Sequence, residues 1–111
     1  MNDAGHLNFN CVEEVEARPG IFRKSVTMGS IQVVLYRYLP GSVFEVHSHP
    51  EEQMTICLEG ALEFDVGGKP FNFTKGSVVH VPTEAPHGAI NRTAEEALTL
   101  NVYHPARRKA P

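Results

Sequence analysis

Apolar residues recur along the chain in short alternating runs, and Gly or Pro cuts each run before it grows long. Alternation with a period of two puts successive side chains on opposite faces of an extended backbone, so the runs predict strands rather than helices. The predicted strands cover 21–27, 31–39, 43–46, 53–58, 62–66, 70–73, 77–81, 87–91 and 98–103. Between them lie Pro19-Gly20, Gly29, Pro40-Gly41, Gly60, Gly67-Gly68, Gly76, Pro82 and Pro86. The Gly67-Gly68 pair predicts a tight hairpin, because two consecutive positive φ angles come easily only to such residues. Many short strands at regular spacing indicate an all-β sandwich or barrel. Residues 93–97 are too few for a stable helix and read as a loop.

Some runs are apolar on both faces. In 98–103, Leu98, Leu100 and Val102 alternate with Thr99, Asn101 and Tyr103. One set is suited to packing between sheets or against a second copy, which leaves the other to line a pocket. No internal repeat or low-complexity tract divides the chain. It reads as one domain over 11–105, preceded by a flexible segment, 1–10, and followed by a short basic tail, 106–111.

Composition narrows the function classes. The chain has 111 residues, 41% of them hydrophobic, which supplies one core but not two. A net charge of -3 without long like-charged runs argues against nucleic-acid and membrane partners. The one basic cluster, Arg107-Arg108-Lys109, falls in the tail. No apolar run approaches the roughly 20 residues that span a bilayer. The N-terminus lacks the basic and apolar regions of a secretory signal, so a cytoplasmic location is expected. Cys11 and Cys57 form no CxxC pair and are expected to be buried thiols.

The chemistry is concentrated in His47-Ser-His49-Pro-Glu-Glu-Gln53 and in His87. In extended backbone, His47 and His49 point to the same face. Gln53 begins the next strand after a turn at Pro50-Glu51-Glu52, which lets its side chain fold back toward the same interior. His87 follows Pro86 and opens a later strand. Three imidazoles and an amide oxygen suit a divalent transition ion such as Ni, Fe, Mn, Co, Cu or Zn. An isolated His-x-His is more often structural than ligating. It is the ordered set of Gly41, His47, His49, Gln53, Gly60, Gly76, Pro82, His87 and Asn91 that makes a metal the better reading.

That ordered set resembles the two motifs of the cupin superfamily, G-x5-HxH-x3-E-x6-G and G-x5-PxG-x2-H-x3-N. Two positions depart from them: Gln53 stands for the usual Glu, and Glu84 for the usual Gly. The run from His47 to Gln53, with Leu58-Glu59-Gly60, is similar to small single-domain pectin-degradation cupins of the KdgF type, whose metal set is His, His, Gln, His. The resemblance implies a double-stranded β-helix (jelly-roll) barrel, a homodimer and a carboxylate-bearing small-molecule substrate. It also implies a reaction that ketonises and linearises 4,5-unsaturated uronates. An uncharged Gln neutralises less of the ion's charge than Glu would, which strengthens its Lewis acidity.

The resemblance further places catalytic roles on the last strand, at Asn101, Tyr103 and Arg107. Asn101 occupies the position of an acid and cannot exchange a proton as an acid does. Tyr103 carries a hydroxyl that the family's Phe lacks. Arg107 is suited to bind a substrate carboxylate bidentately, with Arg23 as a second anion contact. Glu51 and Glu52 read as a solvated turn, with one of them within reach of a ligand histidine's second nitrogen. His80 and His104 read as structural and outward-facing. Two other readings share the same ligands: an oxygenase or polyketide-cyclase relative, and a non-catalytic cupin that binds metal or sugar.

Overall fold

The computed structural model describes residues 4–108. The first three residues of the expected flexible segment, and Lys109 with the rest of the expected tail, lie outside the described residues. Ten strands form: β1 (Val15–Arg18), β2 (Ile21–Met28), β3 (Ile31–Tyr38), β4 (Val43–His47), β5 (Glu52–Glu59), β6 (Ala61–Val66), β7 (Lys69–Thr74), β8 (Val78–Val81), β9 (His87–Ile90) and β10 (Ala97–His104). All nine predicted strands are present. The additional strand, β1, is only Val-Glu-Ala-Arg, whose alternation of Val15 and Ala17 with Glu16 and Arg18 is too short to stand out. It pairs with β2 at the edge of a sheet, where burial on both faces is not required. No helix among the described residues is long and apolar enough to cross a membrane.

The strands make two antiparallel sheets, one ordered β1-β2-β3-β10-β5-β8 and the other β4-β9-β6-β7. The fold is a cupin jelly-roll barrel. Alternation decides which residues face between the sheets. On β3, Gln32, Val34, Tyr36 and Tyr38 are buried, and on β10 Ala97, Thr99, Asn101 and Tyr103 are. Phe44, Leu62, Phe64 and Phe73 meet them from the second sheet. The aromatic rings pack edge-on or tilted, as in Tyr36 against Phe44 at 5.3 Å and Phe64 against Phe73 at 5.1 Å. Cys57 is buried as expected, but Cys11 is exposed. It closes a short 3₁₀ turn, Phe9–Cys11, that contributes no buried residue.

The turn chemistry follows the glycines. Gly67 and Gly68 both have positive φ, 62° and 83°, and the closing pair Val66–Lys69 makes the tight hairpin that the sequence predicts. Gly60, between β5 and β6, is constrained twice. Its φ is 73°, and a Cβ there would lie 2.4 Å from the Glu96 carbonyl oxygen and 2.9 Å from the Ala97 Cα. Gly76 has a similar φ, 89°, but nothing within 4 Å of a would-be Cβ. Urea unfolding should therefore separate two glycines that the sequence motif treats alike. Gly76→Ala is expected to cost about 1 kcal/mol of left-handed strain. Gly60→Ala, which adds a backbone collision, should cost about 3 kcal/mol or more. Equal losses would contradict the close approach at Gly60.

Candidate metal centre

Three histidines converge at one end of the space between the sheets. His47 ends β4 and stands directly across from His87, the first residue of β9. The ladder slips between Phe44 and His47, which leaves one extra residue on β4. The bulge turns both Glu45 and Val46 outward, so that Phe44 and His47 both reach inward. A simple extended run would have put them on opposite faces. Gly88 makes room for the bulge: a Cβ there would lie 2.9 Å from the Phe44 carbonyl oxygen and 3.1 Å from the Val46 nitrogen. His49 lies beyond the end of β4, held by backbone bonding in which the Glu84 N–H donates to the His49 carbonyl at 2.9 Å. Glu84, standing where the cupin motif has Gly, keeps the positive φ (65°) that the motif's glycine serves.

Backbone carbonyls fix the protonation of all three rings. Nδ1 of His47 lies 3.0 Å from the Glu45 carbonyl, that of His49 lies 2.9 Å from the Glu51 carbonyl, and that of His87 lies 2.9 Å from the Ala85 carbonyl. A carbonyl only accepts, so each Nδ1 carries the proton. Each neutral ring then offers an Nε2 lone pair. Ligating atoms of the three rings lie within 4.8 Å of one another. Gln53, at the start of β5, brings Oε1 to 3.0 Å from the Nε2 of His49. Two acceptors facing each other at that distance need a cation between them. The Nε2 of His87 is buried with no hydrogen-bond partner among the described residues. These residues fit a borderline divalent ion, which three imidazole nitrogens and one oxygen would hold with room for a ligand. Burial lowers the proton affinity of His47 and brings His87 down to about 4, so both rings are neutral and ready to ligate at neutral pH.

Beside the histidines is a small cavity of about 20 Å³ with two unlike walls. Tyr36, Tyr38, Gln53, Asn101 and Tyr103 line it from one sheet, and Phe44, Phe64 and Ala89 from the other. The Tyr103 ring sits 5.5 Å from that of His49, and burial pushes its phenol up to about 12. The Tyr36 hydroxyl is buried with no hydrogen-bond partner among the described residues, and nothing in the sequence singled it out. Asn101 is buried and bonded to Thr55, Thr99 and the Val34 carbonyl. Arg107 stacks 5.6 Å over the Tyr103 ring and forms an ion pair with Glu51 at 3.4 Å. Glu51 is thus half-buried rather than solvated, with its carboxylate also 3.6 Å from the Nδ1 of His49. Neither Arg23 nor Arg107 is among the cavity-lining residues, and the Nε of Arg23 is buried with no hydrogen-bond partner among the described residues. His80 pairs with Glu52 on the exposed outer face, and His104 is exposed as well. Arg18, which sequence reading missed, stacks 4.0 Å over Phe44.

A cupin domain model matches residues 34–103, from β3 to the end of the site on β10. The chain belongs to the cupin family. It is 29% identical over 76 residues to H2HPP isomerase of Bacillus subtilis, a match that covers 67% of this cupin but only 32% of that protein. The chain therefore spans about a third of the length of that curated relative. Among solved structures, an RmlC-like cupin from Shewanella frigidimarina superposes with a TM-score of 0.86 at 24% identity, covering 97% of each chain. KdgF from Halomonas sp. superposes with a TM-score of 0.85 at 23% identity, covering 96% of this cupin and 97% of that chain. These two likenesses bear on the fold.

The depressed proton affinity of His87 has a consequence for the metal-free protein. An unfolded histidine takes up its proton near 6.5, whereas His87 in the barrel does so only near 4. Between those values the unfolded chain binds more protons than the folded one, so stability falls as the pH drops through that window. Thermal unfolding of chelator-treated protein should show Tm declining from about pH 7 to about pH 4, with His87→Gln flattening part of the decline. A Tm that holds level across the window would contradict the buried neutral ring.

Proposed function

We propose that His47, His49, Gln53 and His87 hold one divalent transition metal ion, and that the cupin is an isomerase of enol-forming carboxylic acids. A 4,5-unsaturated uronate is the leading candidate for its substrate. The observation that carries this reading is the meeting of four acceptor atoms with no donor among them, next to a buried phenol. The isomerase name of the Bacillus relative points the same way.

When bound, the ion would act as a Lewis acid on substrate oxygens and ease the build-up of enolate charge. The other tasks fall to the chain. Ketonisation moves one proton from an enol oxygen to the neighbouring carbon and oxidises nothing. Tyr103, protonated at neutral pH, donates from Oη to that carbon and is reprotonated with the proton that the enol oxygen gives up. Arg107 takes the substrate carboxylate, and Glu51, paired with the same guanidinium, holds it in place until the substrate arrives. Phe44, Phe64 and Ala89 keep water from the far side.

With unsaturated galacturonate, the metal-loaded protein should bleach the absorbance of the conjugated alkene. Tyr103→Phe should lower kcat by about 10²-fold with KM little changed, as loss of a proton donor does. Arg107→Leu should chiefly raise KM. Unchanged absorbance with wild-type protein would overturn the substrate assignment, and full activity in Tyr103→Phe would overturn the role of the phenol.

The outer face of the six-stranded sheet bears on assembly. Val33, Leu35, Leu100, Val102 and Ile56 lie half-buried there, with Ile31, Met54 and Val78 exposed at 48%, 47% and 58%. Register puts these side chains side by side: Val33 beside Val102 beside Met54, and Leu35 beside Leu100 beside Ile56. A second copy placed about a two-fold axis would cover the same patch on both subunits. Light scattering should give twice the chain mass, and Ile56→Lys should halve it; a wild-type monomer would end this reading.

A further inference from the structure

The hydrogen bonds behind Gln53 run in one direction, and a backbone carbonyl sets it. Asn101, 3% exposed in the middle of β10, has one amide atom 3.2 Å from the Val34 carbonyl of neighbouring β3. Only a donor suits that position, so the atom is Nδ2, which also donates to Thr99 Oγ1 at 2.9 Å. Oδ1 is therefore turned toward β5. There the hydroxyl of Thr55, which is fully buried, donates to it at 2.7 Å. With its one proton committed, Thr55 Oγ1 can only accept from Gln53, and it takes Nε2 at 2.8 Å. A longer contact, 3.4 Å, joins the same Nε2 to Asn101 Oδ1. What remains of the Gln53 amide is Oε1, and it faces His49 and the histidine cluster.

We propose that Thr55 and Asn101 are positioning residues that lock the Gln53 amide with its oxygen toward the metal, an inference that rests on the reading of Gln53 as a ligand. Thr55 does not line the cavity, and Asn101 lines it with its amide committed to Thr55, Thr99 and the Val34 carbonyl, so both act through Gln53. The chain of bonds also couples positions 53 and 101. A carboxylate at 53 has no N–H for Thr55, so the hydroxyl would have to turn its proton toward it. Asn101 Oδ1 would then face a lone pair, and flipping the amide would turn that oxygen onto the Val34 carbonyl. A carboxylate at 101 would likewise set acceptor against acceptor at Val34. Two amides satisfy the whole chain, and a carboxylate at either place breaks it. Gln53 and Asn101 are on this account matched amides at the two ends of a single network.

The test uses Co²⁺ as the probe, read by titration and by its visible absorption, with circular dichroism confirming that each variant folds. Thr55→Val, which keeps the shape and removes the hydroxyl, should weaken Co²⁺ binding by about 10- to 100-fold, and Thr55→Ser should restore it to within a few-fold. Gln53→Glu and Asn101→Asp, alone and together, should be non-additive. Unchanged affinity and spectrum in Thr55→Val, or strictly additive losses in the cycle, would overturn the proposal. Wild-type protein that takes up no Co²⁺ would instead defeat the metal reading. The relay is then judged in metal-free protein by exchange of the Gln53 side-chain amide protons. Exchange that is slow in wild type and fast in Thr55→Val supports it; equal exchange rejects it.

Discussion

The site depends on where three imidazole protons are held. Each Nδ1–H is bound to a main-chain carbonyl two residues away, before the ring for His47 and His87 and after it for His49. These carbonyls set which nitrogen carries the proton, so the neutral form of each ring presents its Nε2 lone pair inward. Gln53 joins them with an oxygen. Four lone pairs crowded into a buried space are costly unless a positive charge shares them. The barrel supplies the stiffness that keeps them there, since the rings come from β4, the turn that follows it, and the start of β9.

Local irregularities do as much for that convergence as the regular ladders. The extra residue on β4 lets Phe44 and His47 reach inward together, and Gly88 accepts the bulge by presenting no side chain. Asn91 performs a similar service lower in the barrel. It is fully buried and donates to the carbonyls of Tyr38 and Glu95, while its Oδ1 accepts from Thr93. The backbone of Gly41 donates to the Asn91 carbonyl in turn. The first glycine of one motif and the last asparagine of the other are thereby joined, so their distant places in sequence serve one junction.

The strands and the histidine cluster were largely legible in the sequence because both leave periodic or spaced signals. Alternation located nine strands, and the spacing of His47, His49 and His87 told which side chains meet. What escaped was set by neighbours in space. β1 alternates Val15 and Ala17 with charge, but over four residues only. Cys11 looked like a buried thiol by residue type, yet the turn that carries it contributes nothing to the core. Glu51 read as a solvated turn residue, and only the folded barrel brings Arg107 and His49 to it from either side. The parity of β10 did mark Thr99, Asn101 and Tyr103 as one inward set, but not that Asn101 is occupied by Thr55 on the adjacent strand.

The unlike walls of the cavity carry a stereochemical consequence. The phenols of Tyr36 and Tyr103 stand on one sheet, and the other offers only Phe44, Phe64 and Ala89 apart from the histidines and Gly88. On the proposed isomerase reading, a flat, conjugated molecule between the sheets would meet phenol hydroxyls on one side and hydrocarbon on the other. A carbon that becomes tetrahedral there would receive its new hydrogen on a single face. The walls themselves would then set the handedness of the product, without a separate element to choose it.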